Sequence, residues 1–305
     1  MKSVCSIGFF DGVHRGHQWL IQQVKDEARR RDVRSLLITF DRHPRSVFAP
    51  ENAPLLLTSS EEKMELLRAT GVDDIYILPF DRAMAALTAC EFMQQVLKER
   101  LGVSALVIGY DHHFGRPMGE GFADYQAYGQ QLGIDVVLAS ELSDHHVSSS
   151  AVRRALEAGD ISTANGLLGR PYSWTGRVIH GRAVGRQLGF PTANLQAVAP
   201  EKLLPAKGAY AVRVHNPSLM ESGWEGAAML NIGSRPTLDN GSDVSIEAHL
   251  FDFSGDLYGT TLTISFIDRL RPERRFTDET ALAQQLAQDK EAAHRILYQT
   301  TNSTN

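Results

Sequence analysis

Gly8-Phe9-Phe10-Asp11-Gly12-Val13-His14-Arg15-Gly16-His17 is the stretch on which the reading of this 305-residue chain turns. It follows a short apolar run, 4–8, and precedes a segment that carries Leu20, Ile21, Val24 and Ala28 at helical spacing. A glycine-rich turn between a strand and a helix lets the backbone approach a phosphate chain closely. The helix N-terminus beyond it offers free N–H groups and positive potential. His14 and His17, flanking Gly16, are spaced to reach one anionic group together. An isolated pair of histidines at this spacing is usually a surface turn or half of a zinc site. Here the strand-to-helix setting and the glycines Gly8, Gly12 and Gly16 favour nucleotide binding.

Working outward, residues 36–40, 75–78, 105–109 and 134–139 read as further strands. Thr58 with Glu61 predicts a capping box opening a helix that Gly71 stops, and Thr88 with Glu91 predicts another. Strands alternating with helices imply crossover connections and a parallel sheet covered on both faces, so residues 1–170 are expected to form a Rossmann-like α/β nucleotide domain. The segment 151–168 reads as helical, interrupted at Gly159-Asp160, and the character changes near Gly169-Arg170-Pro171. Strands then predominate, at 173–180, 209–215, 227–232, 244–251 and 262–268. Val244, Ile246, Ala248 and Leu250 alternate with Ser245, Glu247 and His249, the period of a half-buried strand. Residues 171–305 are therefore expected to form a small antiparallel β-barrel closed by a C-terminal helix over 277–298.

Composition narrows the function classes. Hydrophobic and charged contents of 43% and 22% are those of a globular protein, and a formal net charge of −5 supplies no general field for nucleic acid. The two cysteines, Cys5 and Cys90, are too few for a disulfide framework and suit a reducing compartment. No apolar run approaches a membrane span and no signal-peptide pattern opens the chain, so a cytoplasmic protein without membrane partner is expected. Nothing in the sequence implies an obligate protein partner.

A second glycine-rich block runs from Gly176-Arg177-Val178-Ile179-His180-Gly181 through Gly185-Arg186-Gln187-Leu188-Gly189-Phe190-Pro191-Thr192-Ala193-Asn194. Thr192 and Asn194 offer hard oxygens on one side of an extended segment, a magnesium-like donor set when phosphates complete it. A lone Pro-Thr-x-Asn is more often a turn whose polar side chains bond their own backbone.

Several blocks, in order, resemble the bacterial bifunctional riboflavin kinase/FAD synthetase (FMN adenylyltransferase) family. Gly8-x-Phe10-Asp11-Gly12-x-His14-x-Gly16-His17 looks like its signature loop, within the wider HxGH nucleotidyltransferases. Thr39-Phe40-Asp41-x-His43-Pro44, Gly109-x-Asp111-x-x-Phe114-Gly115 and Ser148-Ser149-Ser150-x-x-Arg153 are similar to later blocks of the adenylyltransferase half. The run from Gly185 to Asn194 resembles the riboflavin kinase motif. Asn231-Ile232-Gly233-x-Arg235-Pro236-Thr237, Glu247-x-His249-x-x-Asp252-Phe253 and Leu257-Tyr258-Gly259 match further kinase blocks.

The resemblance implies ATP-dependent phosphorylation of riboflavin to FMN and adenylylation of FMN to FAD, with Mg2+ as cofactor and flavins as substrates and products. It carries Glu247 over as the general base and Thr192 and Asn194 as magnesium ligands, with Gly176, Gly181, Gly185 and Arg186 around the kinase nucleotide. In the first half it implies that His14 and His17 stabilise the phosphate chain. Gly8, Phe10, Asp11, Gly12, Gly16, Asp111, Gly115, Ser149 and Arg153 then bind nucleotide. Arg42 stands where proline is common, and His112-His113 where an aromatic often follows the aspartate. Arg271 and Arg275 are candidates to line the flavin side, although arginines there are more often surface residues, and His112-His113 with His145-His146 are candidates for a metal cluster, although adjacent loop histidines are more often simply exposed.

Overall fold

The computed structural model describes residues 2–109, 114, 119–142, 147–181, 189–216, 223–234 and 244–299. Its contacts divide the chain into two compact units, Met1–Ser149 and Ser150–Asn305.

The first unit holds the strands β1 (Ser3–Ile7), β2 (Arg34–Phe40), β3 (Asp74–Leu78), β4 (Val103–Ile108) and β5 (Asp135–Leu138). The helices are α1 (Arg15–Arg30), α2 (Arg45–Phe48), α3 (Ser60–Ala69), α4 (Arg82–Ala86), α5 (Ala89–Phe92, continuing with π winding through Met93–Arg100) and α6 (Phe122–Leu132). All pairings are parallel, in the order β3-β2-β1-β4-β5. Strand order reverses beside β1, and such a switch point opens a crevice at the carboxyl ends of the strands. The turn that leaves β1 therefore lies where an α/β sheet takes its ligand. An apolar layer from Cys5, Ile7, Ile38, Phe92, Met93 and Leu106 fills one face, and Val4, Val24, Ala28 and Val107 pack together in a separate cluster.

In the second unit α7 (Ser149–Ala158) and α8 (Ile161–Leu168) precede the strands, broken at Gly159, which takes φ 75°. The strands β6 (Tyr172–Ile179), β7 (Ala193–Ala197), β8 (Gly208–Asn216), β9 (Trp224–Ser234), β10 (Val244–Leu250) and β11 (Thr261–Pro272) close into an antiparallel barrel in the order β10-β7-β6-β11-β8-β9. The closing helix is α9 (Glu279–Gln299). Both expected architectures are present: a parallel α/β sheet, then an antiparallel barrel with a C-terminal helix.

Two local readings need correction. The capping box of α3 is formed by Ser59 and Glu62, one residue beyond Thr58 and Glu61, because the Thr58 hydroxyl is already engaged with Asp11 and Gly12. The simple alternation along β10 also fails: Val244 is exposed while Ser245 and His249 are buried beside Ile246 and Ala248. Ala293 and Leu297 of α9 pack with Ala211, Ala227, Met229 and Phe251, so the barrel's second face is covered too.

Candidate active sites

The turn after β1 is built on unusual backbone. Phe10, Gly12 and Val13 take φ of 55°, 78° and 40°, the left-handed region that a β-branched residue such as Val13 avoids. Strain of this kind persists only where the surroundings over-determine it. Asp11 provides that determination. Its buried carboxylate accepts from Leu57 N (2.9 Å), Thr58 N (3.2 Å) and Thr58 Oγ1 (3.2 Å), and Gly12 N donates to Thr58 Oγ1 at 3.2 Å. Ser149 Oγ donates to Asp11 O at 3.0 Å. The Phe10 ring is buried with Val13, Ile21, Leu37 and Leu67, and Gly8 leaves space for it, since a Cβ there would stand 3.1 Å from the ring. Of the residues expected to bind nucleotide, Asp11 and Phe10 thus hold the loop itself.

His14 caps α1: its Nδ1 accepts from His17 N at 3.2 Å. A backbone N–H can only donate, so this bond puts the proton of neutral His14 on Nε2, as a donor. The two imidazoles stack with centroids 3.6 Å apart and planes at 17°. A Cβ on Gly16 would crowd the His14 ring at 3.2 Å and Val147 O at 3.3 Å. The histidines are brought together as expected, at the N-terminus of a 16-residue helix. Arg153 lies on α7, one turn beyond Ser149. Asp111 and Gly115 lie outside the described residues, as do His112-His113 and His145-His146.

One buried charge beside this turn carried no sequence signal. Lys63 on α3 is only 4% exposed, its Nζ donating to Phe40 O at 3.0 Å and standing 4.0 Å from the centroid of the Phe9 ring. Burial pulls its pKa down to about 8, against the opposing charges of Asp11 and Asp41.

In the barrel, strand register assembles the site. Asn194 pairs with Glu247, Glu247 with Asn231, Asn231 with Ala209, and Ala209 with Arg271, a single row across β7, β10, β9, β8 and β11. Residues directly opposite in neighbouring strands project to the same face. Thr192 Oγ1 donates to Glu247 Oε2 at 3.1 Å, which orients the carboxylate and keeps the hydroxyl lone pairs for another partner. A cavity of about 270 Å³ opens beside this row. Thr192, Asn231, Glu247 and His249 contribute to its polar lining, and Phe190, Met229, Phe276, Leu282 and Leu286 to its apolar lining. His249 Nδ1 lies 2.8 Å from Pro191 O, and burial pulls its pKa below the usual histidine value, the Pro191 bond opposing.

Gly181 is required by contact, because a Cβ there would collide with the Asn194 amide. Gly176 serves packing: a Cβ would run into the Trp174 indole and Leu195. Gly185 and Arg186 lie outside the described residues. Arg271 lines the cavity, forked onto buried Asp289 with Nε 3.0 Å and Nη2 2.8 Å from Oδ2, whereas Arg275 is exposed. The Arg271–Asp289 pair escaped sequence reasoning because its partners lie on different elements.

The FAD synthetase family matches residues 1–151, and the riboflavin kinase family matches residues 168–297. The bifunctional riboflavin kinase/FMN adenylyltransferase of Pseudomonas fluorescens is 39% identical over 96% of this chain and 92% of its own length. The chain belongs to the bifunctional riboflavin kinase/FMN adenylyltransferase family. Relatives of the same description from Escherichia coli K12 (38%; 96% of this chain, 92% of the relative) and Bacillus subtilis (34%; 96% and 92%) agree. The two activities are phosphorylation of riboflavin to FMN and adenylylation of FMN to FAD. A crystal structure from Streptococcus pneumoniae described as a macrolide-efflux protein is similar in fold, with a TM-score of 0.84 and 31% identity over 96% of this chain and 94% of that one. Among the described residues of this chain no helix is long and apolar enough to cross a membrane.

Proposed function

We propose that the two reactions of this bifunctional flavin enzyme are divided between the two sites, adenylylation at the β1–α1 turn and phosphorylation at the Glu247 row of the barrel. The observation that carries the reading is the Thr192–Glu247 bond at the edge of a cavity lined by both polar and apolar side chains. A flavin ring system fits the apolar lining residues by chemistry, and its ribityl chain the polar ones.

Glu247 accepts the proton of the riboflavin 5′-hydroxyl as that oxygen bonds to the γ-phosphorus of ATP. The bond from the γ-phosphorus to its bridging oxygen breaks, and ADP leaves. The hard oxygens of Thr192 and Asn194 beside a carboxylate suit magnesium, and these two residues would hold it. When bound, that ion supplies neutralisation of the ATP phosphates. Arg271, held by Asp289, lines the same cavity at the other end of the row.

In the other reaction a phosphate oxygen of FMN bonds to the α-phosphorus of ATP while pyrophosphate departs. No covalent enzyme intermediate is required, so the protein positions the reactants and offsets charge. His14 Nε2–H, His17 and the N–H groups opening α1 are aimed at that charge, and the fork of Arg153 suits pyrophosphate.

Crossed variants test the division. With riboflavin, FMN and ATP supplied separately and products resolved by chromatography, Glu247→Gln is expected to lose FMN formation and to keep FAD formation from FMN. The double change His14→Ala with His17→Ala is expected to do the reverse. Wild-type riboflavin turnover in Glu247→Gln would remove the base assignment.

A further inference from the structure

We propose that Lys63 is a positioning residue for adenylyl transfer, its buried ammonium holding Phe9 of the β1–α1 turn to the end of β2 and offsetting the carboxylates on which that turn is built. The inference rests on the turn being the adenylylation site.

Lysine is almost never buried without a specific partner. Lys63 is placed by a rigid chain of contacts: Asp11 holds Leu57 and Thr58, Ser59 caps α3, and Lys63 follows in the first turn of that helix. Leu67, one turn further along the same face, packs with Phe10 and Val13 of the turn. The ammonium is consequently directed between the end of β2, where it donates to Phe40 O at 3.0 Å, and the signature loop, where it lies 4.0 Å from the centre of the Phe9 ring. Phe9 is itself fixed from two further sides, by Thr39 Oγ1 donating to its carbonyl at 3.2 Å and by the edge of His43 at 4.9 Å.

The charged groups facing Lys63 explain why an apolar residue would not serve. Asp11 faces it from the turn and Asp41 from the end of β2. Asp41 is in turn bonded to Phe80 N at 2.9 Å and paired with Arg42 at 2.9 Å. A site that must accept a triphosphate and an FMN phosphate cannot leave carboxylates uncompensated beside them. Lys63 adds to that compensation from within the protein, where solvent screening is weak. Burial holds its pKa to about 8, so the charge is present at neutral pH and is lost as pH rises through that value.

The test uses the full chain with Lys63→Met and Lys63→Arg, measuring FMN adenylylation and riboflavin phosphorylation separately, together with KM for ATP across the neutral-to-alkaline range. Lys63→Met is expected to lower kcat/KM for adenylylation roughly tenfold or more, chiefly through KM for ATP, with phosphorylation unchanged. Lys63→Arg is expected to restore most of it and to erase the alkaline decline that wild type shows near pH 8. Should Lys63→Met fail to fold, the profile of Lys63→Arg decides alone: an alkaline limb identical to wild type overturns the proposal. So does a Lys63→Met enzyme with wild-type adenylylation constants. The His14→Ala, His17→Ala double variant separates the two levels. If it retains FAD synthesis, the turn is not the adenylylation site; if it loses FAD synthesis while Lys63→Met does not, only the role of Lys63 falls.

Discussion

The two halves build their sites by opposite means. In the first, the candidate side chains sit on a short turn with left-handed Phe10 and Val13, stabilised by bonds from Asp11 to a segment 46 residues away. In the second, they sit on regular strands, and the register of a closed barrel sets Asn194, Glu247, Asn231 and Arg271 in one row. A strained turn stores its geometry in a few side-chain-to-backbone bonds and fails when one is removed. A barrel row is held by many ladder bonds and fails mainly where a side chain is displaced. Under the proposed division both serve phosphate chemistry, so the difference reflects how each fold positions groups.

The largest effect expected from this contrast is at Asp11. Asp11→Ala leaves the N–H groups of Leu57 and Thr58 buried without their acceptor, at a cost of about 2–4 kcal/mol. Chemical denaturation is expected to show the first unit melting early, with FAD synthesis lost and riboflavin phosphorylation kept. An unchanged denaturation midpoint would mean that the turn holds itself. In the barrel the corresponding change is Gly181→Ala, whose Cβ forces the Asn194 amide aside without touching the ladder. Phosphorylation is expected to fall about tenfold with little change in thermal midpoint. A large loss of stability there would show that Gly181 belongs to the scaffold.

The smallest effect is a pH slope. His249 has its pKa lowered in the fold, mainly by burial, so below about pH 6.5 the unfolded chain binds a proton that the folded chain resists. Stability of the barrel unit is expected to drop as pH falls through that window and to be level above it. His249→Gln flattens the dependence, which urea midpoints measured at several pH values would reveal. A slope that survives the substitution would assign it to another group.

What the sequence settled by itself is whatever depends on short-range pattern. Alternating strands and helices placed the parallel sheet, the glycines after β1 marked the turn, Thr88 and Glu91 closed their capping box, and Gly159 broke the paired helices. Family-specific strings identified the two activities. What the tertiary structure decided depends on groups far apart along the chain. Thr58 is a sound N-cap by local rules, yet Asp11 claims its hydroxyl and the box moves on to Ser59. Residues 193–197, a five-residue alternation that the sequence shows only as an extended segment, became β7 through pairing with β6 and β10 on either side. Burial of Ser245 and His249 in β10, of Lys63 beside Phe9, and the fork of Arg271 on Asp289 likewise follow from neighbours brought in by folding. Propensity and periodicity act over a few residues, whereas burial and charge pairing are properties of the assembled surroundings, so the first can be read along a chain and the second only across a fold.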